Sequence, residues 1–116
     1  MRDWERFLDA MHGGRYFEAH DCLEPRWQGG SSPRVQAAIW LAVLLLHQAR
    51  ANAVGVERVQ RKLLGRLRGL GAPPPLWAAA AGTPVDGPAV CRALEQARDW
   101  VLSDATVASN GDDGQA

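Results

Sequence analysis

The segment Ser32-Pro33-Arg34-Val35-Gln36-Ala37-Ala38-Ile39-Trp40-Leu41-Ala42-Val43-Leu44-Leu45-Leu46-His47-Gln48-Ala49-Arg50-Ala51-Asn52 decides the fold of this 116-residue chain. Ser32 can cap a helix whose first position is Pro33, where a missing N–H costs nothing. Ala37 to Leu46 is an unbroken apolar run of ten residues and leaves no polar face. A helix apolar all the way round needs neighbours on several sides. The segment is therefore predicted to be a central helix running to about Ala51, with Asn52 suited to a left-handed C-cap. The run is well short of the ~18 apolar residues that span a bilayer, so a soluble protein with no membrane role is expected.

Outward from it, apolar residues recur three and four apart and do not alternate, and no repeat is visible. The expected fold is all-α: a single-domain bundle of about five helices around the apolar one. Upstream, Asp3 can cap a helix bearing Trp4, Phe7, Leu8 and Met11 on one side, broken by Gly13-Gly14. A second helix spans about Arg15 to Trp27, with Pro25 kinking or ending its last turn and Gly29-Gly30 marking the turn after it. Downstream, about Val54 to Leu70 forms an amphipathic helix: Val56, Val59, Leu63, Leu67 and Leu70 make its apolar stripe. Arg58, Arg61, Lys62, Arg66 and Arg68 lie away from that stripe. Gly71 and Pro73-Pro74-Pro75 make a stiff connector to one or two helical turns at Trp77 to Ala81. A fifth helix covers about Pro88 to Leu102. The expected domain is 1–103, followed by a disordered acidic tail, 104–116.

Composition agrees with one globular domain: 47% apolar, 22% charged and a formal charge of zero. Met1 to Ala10 carries five charged side chains and lacks a secretory apolar region, so a cytoplasmic location is expected. Cys22 and Cys91 are expected to be reduced thiols. Five tryptophans are more than so small a core readily hides, which raises a homo-oligomer as an expectation.

Polar residues intrude on the predicted buried face in two places. In the second helix, Tyr16, His20, Leu23 and Trp27 share one stripe, and Phe17, His20, Glu24 and Trp27 an overlapping one. Glu24 lies one turn beyond His20, roughly 40° round and within side-chain reach. In the third helix, His47, Arg50 and Asn52 close the apolar run. If the two helices form an antiparallel hairpin turning near Gly30, His20 faces Trp40 and Glu24 faces Gln36. His20 and His47 then stand about 10 Å apart along the axis, too far to share a metal unless the helices cross steeply.

The order Gly-x-Tyr-Phe-Glu-Ala-His-acid-x-Leu-Glu-x-x-Trp from Gly14 to Trp27, then Gln36-x-x-Ile39 and Ala42, then His47-x-x-Arg50-x-Asn52, resembles domain-of-unknown-function family 309. The likeness covers about Phe7 to Leu67. It implies an all-helical fold with no established activity, and it places Tyr16, Glu18, His20, Glu24, Trp27, His47, Arg50 and Asn52 in the family's polar and aromatic set. Asp21 stands where glutamate is usual, Pro25 follows Glu24, and Ala37 and Ala51 replace glycines.

Three readings of this set compete. One is a hydrogen-bonded polar network that fixes helix register. The leading functional reading is a module that binds a protein partner or a small anionic ligand through Tyr16, His20, Glu24, His47 and Arg50, with Arg50 holding an anionic group. The alternative is a small hydrolase or lyase with His20 and Glu24 as an acid/base pair. Glu18 pairing with Arg50 would make that arginine structural. No cofactor is predicted, and a divalent metal on His20, Glu24 and His47 is the least favoured use of these groups. Phosphate contacts along the basic fourth helix are a further alternative, disfavoured by the neutral total charge.

Overall fold

A computed structural model of the chain describes residues 2–27 and 32–103. Six helices follow in order: α1 Arg2–His12, α2 Tyr16–Trp27, α3 Pro33–Ala49, α4 Ala53–Gly69, α5 Pro74–Ala80 and α6 Gly87–Gln96, with helical backbone resuming at 98–103. No strand occurs among the described residues. The all-α expectation stands, with α5 starting inside the triproline, at Pro74, instead of at Trp77, and the last helix interrupted by a turn at Ala97.

α3 occupies the centre, packed between α2 and α4 and touching α6. Ser32 Oγ accepts the Val35 N–H at 3.3 Å, which caps the helix as its sequence predicts. Val35, Ala37, Ala38, Ile39, Leu41, Ala42, Leu44 and Leu45 are buried. Around them gather Trp4, Phe7 and Met11 of α1, Leu23 of α2, Leu63 and Leu67 of α4, Leu76 of α5 and Leu94 of α6, in one continuous core. No helix among the described residues is long and apolar enough to cross a membrane.

The far end of α3 differs from the expectation. The helix stops at Ala49, Arg50 is its C-cap, and the left-handed residue is Ala51, at φ 55°, rather than Asn52. Asn52 instead caps the next helix, its Oδ1 accepting the Gly55 N–H at 3.0 Å. Its short amide does more for the four orphan donors at the start of α4 than for the end of α3. The left-handed conformation of Ala51 costs a side-chain-bearing residue roughly 1 kcal/mol.

The surplus of tryptophan has an internal explanation. Trp4 is buried, and three half-buried indoles are each covered by a guanidinium: Arg34 over Trp100 at 4.8 Å, Arg66 over Trp40 at 5.2 Å and Arg68 over Trp77 at 5.1 Å. Cation–π contact with the arginine stems shields these rings within one copy of the chain. Two glutamines fasten the segment before α6. Gln48 donates to Val85 O and accepts from Val85 N, both at 2.7 Å, while Gln60 Nε2 reaches Ala80 O and Gly82 O. The expected turn at Gly29-Gly30 and the acidic tail lie outside the described residues.

Candidate functional site

α2 starts after Gly14, whose φ of 74° breaks the chain out of α1. Arg15 straddles this joint, donating to Asp9 at 2.8 Å and to Glu18 at 3.2 Å. Glu18 is thus paired with Arg15 and not with Arg50. Ala19 and Leu23 are the fully buried residues of α2. His20 and Glu24 flank that stripe at the core's edge, with side chains 31% and 37% exposed. Phe17, expected on a buried stripe, is 61% exposed, its ring stacked beside His20 with centroids 6.3 Å apart. The helix is rotated so that Ala19 and Leu23, and not Phe17, enter the core.

His20 Nδ1 faces Glu24 Oε2 at 3.3 Å and Asp21 Oδ1 at 3.2 Å. A carboxylate oxygen can only accept, so Nδ1 carries a proton, and in the neutral ring Nε2 is left as an acceptor. The atoms of His20, Asp21 and Glu24 able to ligate a cation lie within 4.8 Å of one another. His47 is not among them.

Beside this pair, a cavity of about 210 Å³ opens between α2, α3 and α4. Ile39, Trp40, Val43 and Val59 supply apolar lining, and His20, Gln36 and Lys62 supply the polar groups. His20 therefore stands opposite Trp40 and Gln36, the register expected of an antiparallel hairpin. Arg66 holds two of the lining residues, its guanidinium over Trp40 and 2.9 Å from Gln36 Oε1.

His47 lines a different cavity, of about 340 Å³, with Asn52, Gly55, Arg58 and Lys62 among its walls. His20 and His47 thus line separate cavities. The two cavities have Val59 and Lys62 in common. Asn52 Nδ2 lies 3.1 Å from His47 Nδ1, a contact that needs glycine at 55: a Cβ there would stand 2.6 Å from Nδ1.

The remaining members of the set scatter. Tyr16 packs toward α6, its hydroxyl facing Gly87, and burial raises its phenol above the ordinary value. Arg50 is exposed and lines neither cavity. Trp27 closes α2, and its side chain lies outside what the structure describes. Burial pushes the thiols of Cys22 and Cys91 up, which keeps them protonated and poor as nucleophiles. Sequence reasoning noted Arg58 and Lys62 only as part of a basic face. Gln36 and Trp40 carried a usable signal, as the residues that the hairpin register sets opposite Glu24 and His20.

Residues 4–59 match the model of the family described as Domain of unknown function (DUF309). No curated protein and no solved structure matches the chain.

Proposed function

Because residues 4–59 match the model of this family of unassigned domains, and because a cavity adjoins the His20–Glu24 pair, we propose that the protein is a small-molecule-binding module whose ligand has a compact apolar body and an anionic end. The observation that carries the reading is the lining: four apolar side chains with His20, Gln36 and Lys62 converging on the same space. Such a pocket, apolar with a few placed polar groups, is the usual form of a ligand site. Its volume of about 210 Å³ is below the range for drug-sized ligands, so a body of one ring is the expected occupant. Glu24 holds the imidazole by accepting from Nδ1, and Lys62 supplies the charge that an acid group needs.

The 3.3 Å contact between His20 Nδ1 and Glu24 also favours a second reading, general acid/base chemistry at Nε2. Among the described residues no serine, threonine or cysteine lines the cavity, so that reading is confined to lyase chemistry or to attack by water.

Titration of the ¹⁵N-labelled chain with benzoate and with benzyl alcohol tests the proposal. Saturable shifts at Ile39, Val43 and Val59, stronger for benzoate and abolished by Val43→Trp, which fills the cavity, are expected. No shift at these residues, or shifts untouched by Val43→Trp, would sink it.

A further inference from the structure

The basic face of α4 divides into engaged and free cations. Arg61 pairs with Glu57 at 2.6 Å, Arg66 is spent on Gln36 and Trp40, and Arg68 covers Trp77. Arg58 and Lys62, one turn apart, make no ion pair among the described residues, and both line the 340 Å³ cavity with His47. No carboxylate among the described residues lines it.

The proton of His47 is placed by its neighbour. The Gly55 N–H can only donate, so the atom of Asn52 that caps it is Oδ1, which turns Nδ2 toward His47 Nδ1. Nδ1 must then accept, and the neutral ring carries its proton on Nε2. One N–H of the Asn52 amide stays free beside these two bonds. His47 thus brings a neutral N–H donor to a cavity that Arg58 and Lys62 also line.

We infer that this cavity is a phosphate subsite, taking the dianionic group of a phosphomonoester with Arg58 and Lys62 as its two charges and His47 Nε2–H as a neutral donor. A phosphomonoester carries close to two negative charges at neutral pH, which two cations balance; a monocarboxylate would leave one unmatched. A guanidinium offers paired donors suited to phosphate oxygens, and the ammonium a point charge. Lys62 and Val59 border both cavities, so the organic substituent of the phosphate runs toward Trp40. That direction, and nothing else in the inference, rests on the reading of the apolar cavity given above.

Inorganic phosphate, titrated into the ¹⁵N-labelled full chain at about pH 8 and constant ionic strength, is the direct probe of the dianion. The histidine ¹⁵N spectrum should show His47 as the Nε2–H tautomer, and phosphate should move His47, Gly55 and Lys62 saturably while acetate does not. Arg58→Gln and Lys62→Gln, both exposed positions, should each weaken phosphate about tenfold or more, the loss of one charge-assisted bond. Val43→Trp should leave inorganic phosphate unaffected but weaken phenyl phosphate, so failure of the apolar cavity and failure of the phosphate subsite give different patterns. The inference is overturned if phosphate gives no saturable shift, if Arg58→Gln binds it as tightly as wild type, or if His47 is an Nδ1–H tautomer. Single-stranded DNA binding more tightly than phenyl phosphate would also overturn it, in favour of a polynucleotide surface.

Discussion

Asn52 joins two helices through one amide: Oδ1 takes the Gly55 N–H at 3.0 Å and Nδ2 reaches His47 Nδ1 at 3.1 Å. A cap on α4 and the protonation pattern of a histidine on α3 are therefore set by a single side chain. Asn52→Ala should cost about 1 kcal/mol, the ordinary loss of an N-cap. Asn52→Asp keeps a capping oxygen but presents His47 with an acceptor, so the proton of the neutral ring moves from Nε2 to Nδ1. Histidine ¹⁵N spectra of the two proteins check this. The same tautomer in both would mean that the amide does not govern the ring.

Ala51 holds φ 55° without the freedom of glycine. Ala51→Gly should raise stability by roughly 0.5–1 kcal/mol, since relief of left-handed strain outweighs the added freedom of the unfolded chain. Urea denaturation gives the answer, and a destabilised variant would contradict the strain argument.

His20 and Glu24 lie at the rim of the core with a third or more of each side chain in water. Their pairing is accordingly a minor contribution to stability, and His20→Ala should lose less than about 1 kcal/mol. A loss of several kcal/mol would return His20 to the role of a structural network and weaken the ligand reading. The same variant should weaken benzoate binding at Ile39 and Val43.

Burial raises the ionisation of Cys91, Cys22 and Tyr16 above their ordinary values of 9.0 for the thiols and 10.0 for the phenol. With folded values above unfolded ones, the unfolded chain releases these protons first. Stability is unaffected by them below the unfolded values and falls as pH rises through the folded ones. Urea midpoints should drop as pH rises above about 9, the ordinary value of the thiols. Cys91→Ala, removing a thiol only 2% exposed, should flatten that drop. An unchanged slope in the variant would assign the alkaline loss to other groups.

Much of the architecture was legible from spacing. Ser32-Pro33 marks the start of α3, ten apolar residues place it at the centre, and a turn near Gly30 predicts that His20 meets Trp40. The contact between His20 and Glu24 follows from their being one turn apart. The fate of Asn52 was misjudged because cap signals at the end of one helix and the start of the next overlap when three residues separate them.

By itself, then, the order of residues determined the helical class, the central element and the contacts made within one helix, because a fixed rise and turn dictate which side chains of a helix are neighbours. Only the tertiary structure decided how each helix is rotated against its partners. That rotation exposes Phe17, turns Tyr16 toward α6, spends Arg66 and Arg68 on tryptophans and leaves Arg58 and Lys62 beside His47. Packing of all the faces at once selects the angle, a condition that no single stretch of sequence contains.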